Sequence, residues 1–226
     1  MNDAAGLLPL SVAVLAGGQS RRMGTDKALL PLRAGDPPLA EVVLNHVRSL
    51  TDDLFIVATD RPAYQRFGVP VVADRFAGGS LGGIATAVDA AAHDACLVVA
   101  CDMPFLSVAL LRWMAAVRRA YDVLVPEVPG ESRQGRCTIY QTLHAIYAKS
   151  ALPAITGRLA RDERQVIGFF PEVRVQAIGP DEVHRFDPHG LTFFNANSPE
   201  TAGEARRILD QRDERQDDNA TGQARR

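Results

Sequence analysis

Short apolar runs alternate with stretches of helical period along most of the chain. Residues 11–16 (SVAVLA), 54–59 (LFIVAT), 69–73 (VPVVA), 96–101 (CLVVAC) and 122–126 (DVLVP) are compact and rich in β-branched side chains, which predicts strands. Between them, 39–50 (LAEVVLNHVRSL), 81–92 and 107–120 (SVALLRWMAAVRRA) are long enough for helices. Leu39, Val42, Val43, Val47 and Leu50 recur at helical spacing, as do Leu110, Leu111, Met114 and Val117, so each helix has one apolar face. Ser107 is placed to cap the third of them, its hydroxyl accepting from a free first-turn amide.

Strands that alternate with helices predict right-handed crossovers and a parallel sheet. Runs that are apolar at every position, rather than at every second one, predict strands covered on both faces. The expected fold is therefore α/β: a single-domain, Rossmann-like three-layer sandwich with a mainly parallel central sheet. From about residue 130 the rhythm changes. The stretch 130–137 (GESRQGRC) is polar, and 138–150 (TIYQTLHAIYAKS) mixes Tyr, His and apolar residues. A helical piece near 151–161, a strand at 173–178 (VRVQAI) and a final helix near 199–210 follow. Residues 211–226 carry many charges and almost nothing apolar, which predicts a disordered tail.

Composition narrows the function classes. A chain of 226 residues with 46% hydrophobic and 23% charged residues suits one globular domain. The formal net charge of −2 gives no global attraction for nucleic acid or an anionic membrane, so any phosphate site must be local. No apolar run reaches the length of a membrane span, and the opening MNDAAGLLPL lacks the basic region of a secretory signal. Cys96, Cys101 and Cys137 form no C-x-x-C pattern and read as small buried hydrophobes. Cys96 and Cys101, five apart on one strand, would face opposite ways and could not bridge. A reducing, cytoplasmic setting is expected.

The densest chemistry lies in residues 12–32, VAVLAGGQSRRMGTDKALLPL. A strand runs into Gly17 and Gly18, then into a loop with Arg21, Arg22, Gly24, Asp26 and Lys27. Paired glycines admit positive φ and close ligand approach, and consecutive bare amides form an anion-binding concavity. Arginine adds a planar fork for phosphate oxygens and lysine a mobile point charge. The loop is not a P-loop, because five residues separate Gly18 from Gly24 and Ala28 follows Lys27 where a hydroxyl is needed. It is not a dinucleotide fingerprint either, since no Gly-x-Gly-x-x-Gly occurs.

This stretch resembles the nucleotidyltransferase signature LAGGxSxRMGxDKxLLPL and matches it through Leu32. Leu15-Ala16-Gly17-Gly18 with Asp26-Lys27 is similar to the molybdenum cofactor guanylyltransferase branch, and the likeness extends from about residue 11 to 207. The resemblance implies a nucleotidyltransferase domain over 1–210 that transfers GMP from GTP to the molybdopterin-bound molybdenum cofactor, releasing pyrophosphate. It implies that Leu15, Ala16, Gly17 and Gly18 line the nucleotide, that Arg22 and Lys27 hold phosphates, that Asp74 contacts GTP, and that Asp102 binds its Mg²⁺. Arg22, Lys27 and Asp102 are the expected catalytic set. Cofactor-delivery or molybdoenzyme-chaperone proteins are the protein partners it suggests. One departure is Ala58-Thr59-Asp60, where many relatives carry Asn.

The residues support parts of this independently. Ligands of open α/β sheets sit outside the carboxyl ends of strands, a rule that selects Gly17, Gly18, residues 58–60, Asp74 and residues 101–104. Asp102 follows the apolar LVVAC, where a carboxylate can hold Mg²⁺ together with substrate phosphates and water. Asp74 opens a second glycine-rich loop, 75–83, and fits either a base or ribose contact, a metal assist, or a turn. Asn195 and Asn197, two apart in FFNANSPE, would share one face of an extended segment. The same element in the resembling family is associated with the pterin side. Transfer of another nucleotide, such as a cytidylyl group to the same cofactor or a group to a sugar phosphate, is the nearer alternative. A non-catalytic nucleotide-binding protein is the farther one.

Overall fold

β1 (Ser11–Leu15) forms at the first apolar run and is flanked by two parallel strands, β2 (Asp53–Ala58) and β4 (Ala95–Ala100). β3 (Val71–Ala73) adds to the far side of β2, also parallel. The computed structural model describes residues 8–16, 27–59, 62–132 and 135–223, and the side chains of 27, 132 and 216–223 fall outside that description. Three further strands, β5 (Val123–Ser132), β6 (Gly135–Tyr140) and β7 (His144–Ala148), continue the sheet in the order β3-β2-β1-β4-β7-β5-β6. β8 (Val175–Ile178) pairs with β5 in parallel.

Helices cover both faces. α1 (Leu39–Val47) and α3 (Val108–Ala116) bury Val43, Leu44, Val47, Leu110, Leu111 and Met114 against Val12, Val14, Leu97 and Val99. On the other face α2 (Ser80–Ala90) and α4 (Leu152–Ala160) pack Leu81, Ile84, Val88 and Ile155 against Ala13, Val57, Cys96 and Val98. Every residue of β4 is buried, which is why its sequence is apolar without alternation. Each fully buried Val, Leu or Ile contributes roughly 1.5–3 kcal/mol relative to exposure. The three-layer, mainly parallel expectation is met at this core. Ser107 caps α3 as expected, its hydroxyl accepting from the Leu110 amide at 3.2 Å.

The second half departs from the parallel rhythm. β7 is antiparallel to both β4 and β5 and was not anticipated from sequence. Beyond Pro126, β5 leaves the main sheet and runs with β6 as a two-stranded hairpin. Cys137 lies on that hairpin and is exposed, contrary to the buried role expected for all three cysteines, because β6 is exposed along almost its whole length. Cys96 is buried, Cys101 half-buried, and all three are free thiols. A short helix, α5 (Pro180–Phe186), precedes the last one.

α6 runs from Pro199 to Gln223, so residues 211–223 are helical where a disordered tail was expected. Ser198 caps it, accepting from the Thr201 amide, and Pro199 takes the first position. Contacts beyond residue 210 support the continuation. Arg33 reaches Asp210 at 3.1 Å and Asp213 at 2.7 Å, and the Arg212 guanidinium lies 5.1 Å from the centre of the Phe105 ring. Segments rich in Arg, Glu and Gln have good helix propensity once a face is anchored.

Asp122, at the foot of β5, ties three segments together. Its carboxylate accepts from the Arg174 amide at 2.9 Å, from the Arg174 guanidinium at 2.9 and 3.0 Å, and from the Ser150 hydroxyl. Those Arg174 bonds hold the carboxyl well below its usual range. The stability it supplies is complete above the ordinary carboxyl pKa of 3.8 and is lost as pH falls below it. Asp122→Ala is expected to lower unfolding free energy by about 2–3 kcal/mol, read from urea melts at neutral pH.

Candidate active site

Leu15, Val57 and Ala100 stand level across β1, β2 and β4, and all these strands present their carboxyl ends at the same edge. The chains leave that edge laced together. The Ala16 amide donates to the Val57 carbonyl at 2.9 Å, the Cys101 amide to the Leu15 carbonyl at 3.1 Å, and the Asp74 amide to the Ala58 carbonyl at 3.2 Å. From β1 the chain crosses toward β2 and β3, then returns to β4 on the opposite side. A crevice at such a reversal is where open α/β sheets take ligands.

Leu15 is half-buried and Ala16 buried at the carboxyl end of β1, on this edge. Gly17, Gly18 and Arg22 lie outside the described residues. Lys27 opens a 3₁₀ turn, Lys27–Leu29, with its side chain outside the description. Ala28 of that turn is buried in the core, anchoring the downstream end of the loop. The next segment is closed by the Leu39 amide donating to the Leu30 carbonyl at 3.0 Å and by Arg33 pairing with Asp36 at 2.9 Å.

Asp102 is half-buried two residues past the end of β4. Its backbone carbonyl accepts from the Ala196 amide at 2.8 Å. The turn bearing Asp102 and the segment bearing Asn195 and Asn197 are thus brought together from distant parts of the chain. Asn195 is half-buried and its amide nitrogen donates to the Phe193 carbonyl at 3.1 Å, whereas Asn197 is exposed. Residues 193–197 form no strand, so the two amides differ in exposure rather than forming a regular pair.

Asp74 extends from the end of β3. Its position is three strand spacings from β4, about 14 Å from the Asp102 turn at 4.7–4.9 Å per spacing. Thr86 of α2 donates to Asp74 Oδ1 at 2.7 Å. Gly78 and Gly79, with φ of 148° and 64°, turn the chain from Asp74 into α2 in a conformation that favours glycine. Gly83 sits against Leu15, where a Cβ would lie 3.2 Å from Leu15 Cδ1, so α2 is seated close under the crevice. At the departure from the family pattern, Ala58 is fully buried and its carbonyl is used by Asp74.

Two polar residues near the site went unassigned in the sequence. Thr86 is one. His144 is the other: it is fully buried at the start of β7, opposite Val99 of β4, with its ring edge-on to Phe193 at 4.9 Å. Among the described residues neither ring nitrogen has a hydrogen-bond partner, and burial pulls its pKa down to about 3. Among the described residues no group of three or more His, Cys, Asp or Glu side chains could hold a metal ion by itself. No helix among them is long and apolar enough to cross a membrane.

A parallel core with a strand reversal and acidic residues at two strand tips is an open α/β architecture that takes ligands at the carboxyl edge of its sheet. The model of the MobA-like NTP transferase domain matches residues 12–175. The chain belongs to that family and is a nucleotidyltransferase. It is 36% identical over 201 residues to a protein named probable molybdenum cofactor guanylyltransferase from Pelotomaculum thermopropionicum, covering 88% of this chain and 93% of that one. A protein of the same name from Carboxydothermus hydrogenoformans is 35% identical over 192 residues, covering 84% and 91%. The crystal structure of molybdopterin-guanine dinucleotide biosynthesis protein A from Archaeoglobus fulgidus superposes with a TM-score of 0.73 at 25% identity, over 89% of this chain and 99% of that one.

Proposed function

We propose that this protein transfers GMP from GTP to the molybdenum-molybdopterin cofactor and releases pyrophosphate, in the cytoplasm, with residues 1–210 as the catalytic domain. The observation that carries the reading is the meeting of three segments at one crevice. Leu15–Ala16 lead into the glycine loop, the Asp102 turn faces them across β1 and β4, and the Asn195–Asn197 segment is bonded to that turn. Relatives named for guanylyl transfer match over most of the chain.

In this reading Leu15, Ala16, Gly17 and Gly18 line the nucleotide, and Asp74 contacts it. Arg22, Lys27 and the loop amides hold the phosphates, while Asn195 and Asn197 face the pterin substrate. A terminal phosphate oxygen of the cofactor attacks the α-phosphorus of GTP in line. The new P–O bond forms as the bond to the bridging oxygen breaks, and pyrophosphate leaves with that electron pair. The nucleophile already carries negative charge, so no covalent enzyme intermediate is needed. Catalysis is then positioning plus neutralisation of developing charge. A half-buried carboxylate at a strand tip suits Mg²⁺, which takes one or two carboxylates and completes its shell with substrate phosphates and water. Asp102 would hold it, and the ion when bound would neutralise triphosphate charge.

Pyrophosphate release measured with GTP, CTP and UTP in the presence of loaded cofactor tests the reading. Turnover with GTP alone is expected. Preferential turnover with CTP would replace guanylyl by cytidylyl transfer, and GTP binding without turnover would mark a non-catalytic protein.

A further inference from the structure

α2 carries one polar side chain in an otherwise apolar row. Leu81, Ile84, Ala85, Ala87 and Val88 are buried, and Thr86 is buried with them at 0% exposure. The two hydrogen bonds of its hydroxyl have a fixed sense. The Arg75 backbone amide, which can only donate, gives its proton to Thr86 Oγ1 at 3.1 Å. The single hydroxyl proton is therefore directed to Asp74 Oδ1 at 2.7 Å. Asp74 is held by one oxygen from below, on a helix seated firmly in the core.

Among the described residues the surroundings leave the second oxygen open to a ligand. The guanidinium of Arg75, the adjacent cation, is engaged with Asp89 at 2.7 Å. Asp74 itself is exposed at the sheet edge where the crevice opens. Among the described residues no cation pairs with it and no donor meets Oδ2. An ionised carboxylate can only accept, so the group it selects must carry a proton.

We propose that Thr86 is a positioning residue for nucleotide recognition: it pins Asp74 through Oδ1 so that Oδ2 accepts from a donor at the nucleoside periphery. The donor is either the exocyclic 2-amino group of guanine or a ribose hydroxyl. The inference rests on the reading of Asp74 as a GTP contact. Pinning matters because a carboxylate already ordered loses less side-chain freedom when the ligand arrives. Guanine is distinguished by that amino donor on its minor-groove edge, and an anionic acceptor rewards it directly.

The test is steady-state pyrophosphate release by the full-length enzyme with GTP and loaded cofactor. Thr86→Val keeps the shape of the side chain and removes the hydroxyl. It is expected to raise KM for GTP about tenfold, the loss of one charge-assisted hydrogen bond, with kcat within about twofold. Thr86→Ser should restore the wild-type KM. Asp74→Asn should raise KM at least as much, and adding Thr86→Val to it should change little further, because coupled residues are not additive. The Thr86→Val penalty should vanish with ITP if the donor is the 2-amino group, and with 2′-deoxy- or 3′-deoxy-GTP if it is a ribose hydroxyl. Should the Val variant fail to fold by circular dichroism, Thr86→Ala removes the same hydroxyl without added bulk.

A Thr86→Val KM unchanged beside a raised Asp74→Asn KM would overturn the positioning role and leave Asp74 at the nucleotide. An Asp74→Asn KM equal to wild type would remove Asp74 from the nucleotide and the inference with it. An equal Thr86→Val penalty for GTP and all three analogues, or a loss of thermal stability with KM unmoved, would reduce Thr86 to a structural residue.

Discussion

Asp102→Ala is expected to lower kcat for pyrophosphate release by on the order of 10³-fold, the scale of losing one preorganised charge-stabilising group. Its unfolding free energy should stay within about 1 kcal/mol of wild type, as for most changes outside the packed core. The separation of the two effects follows from how the residue is held. The bond that joins the Asp102 turn to the Ala196 segment uses the backbone carbonyl, and the adjoining Cys101 amide is bonded to Leu15. Both survive truncation of the side chain. Below the turn, Met103, Phe105 and Leu106 are buried and keep its course. What disappears is the carboxylate at the tip of β4. Asp102→Asn, which keeps the shape and loses the charge, should be impaired nearly as severely. A kcat close to wild type in either variant would remove Asp102 from the reaction and with it the carboxylate assigned to the metal.

Acid is expected to destabilise the fold through His144 well before it reaches the carboxylates. The buried ring stays neutral in the native state, with its pKa drawn from 6.5 down to about 3 by desolvation. The unfolded chain binds a proton at His144 below the ordinary value and the native chain does not. The native state therefore keeps its full margin above pH 6.5 and loses about 1.4 kcal/mol per pH unit below it, or about 3 kcal/mol by pH 4. Asp122 acts in a lower window, below 3.8, so the two contributions separate along the titration. His144→Leu should remove this residue's share of the slope and leave that of His46, whose pKa burial also lowers. At neutral pH the variant should be no less stable than wild type, because it removes two buried nitrogens that have no partner among the described residues. Urea midpoints at pH 7, 5.5 and 4 for both proteins read the difference. Parallel pH profiles would show that the ring is protonated in the native state.

His144 also shows where sequence reasoning stops. The strands β1, β2 and β4 and the helices α1, α2 and α3 were legible from local pattern, with ends shifted by a few residues. A run such as ACLVVA in β4, apolar at every position, has only one stable placement, between two helix layers. The glycine loop reads as phosphate chemistry from its bare amides and cations, but Gly17, Gly18 and Arg22 lie outside the described residues. Asp102 and Asp74 were legible as strand-tip acids once the parallel core was accepted.

β7 was not legible, nor was the hairpin of β5 with β6. In 138–150 the mixture of Tyr, His and apolar residues matches no single period, since part of it faces solvent and part lies between β4 and β5. Its antiparallel pairing with Val99 and its neighbours depends on the chain returning from the hairpin. The exposed position of Cys137 follows from the same excursion. The helical course of residues 211–223 depended on Arg33 and Phe105, which no local composition reveals. The site obeyed the same division. Periodicity reports which side of an element is covered, because burial acts on each residue's own side chain, so the layers and the strand tips could be read directly from the chain. The bond of Thr86 to Asp74, the seating of Ala196 on Asp102 and the enclosure of His144 under Phe193 join residues distant in sequence. Such pairings are settled only when the layers close, since each depends on packing that neither partner's neighbours encode.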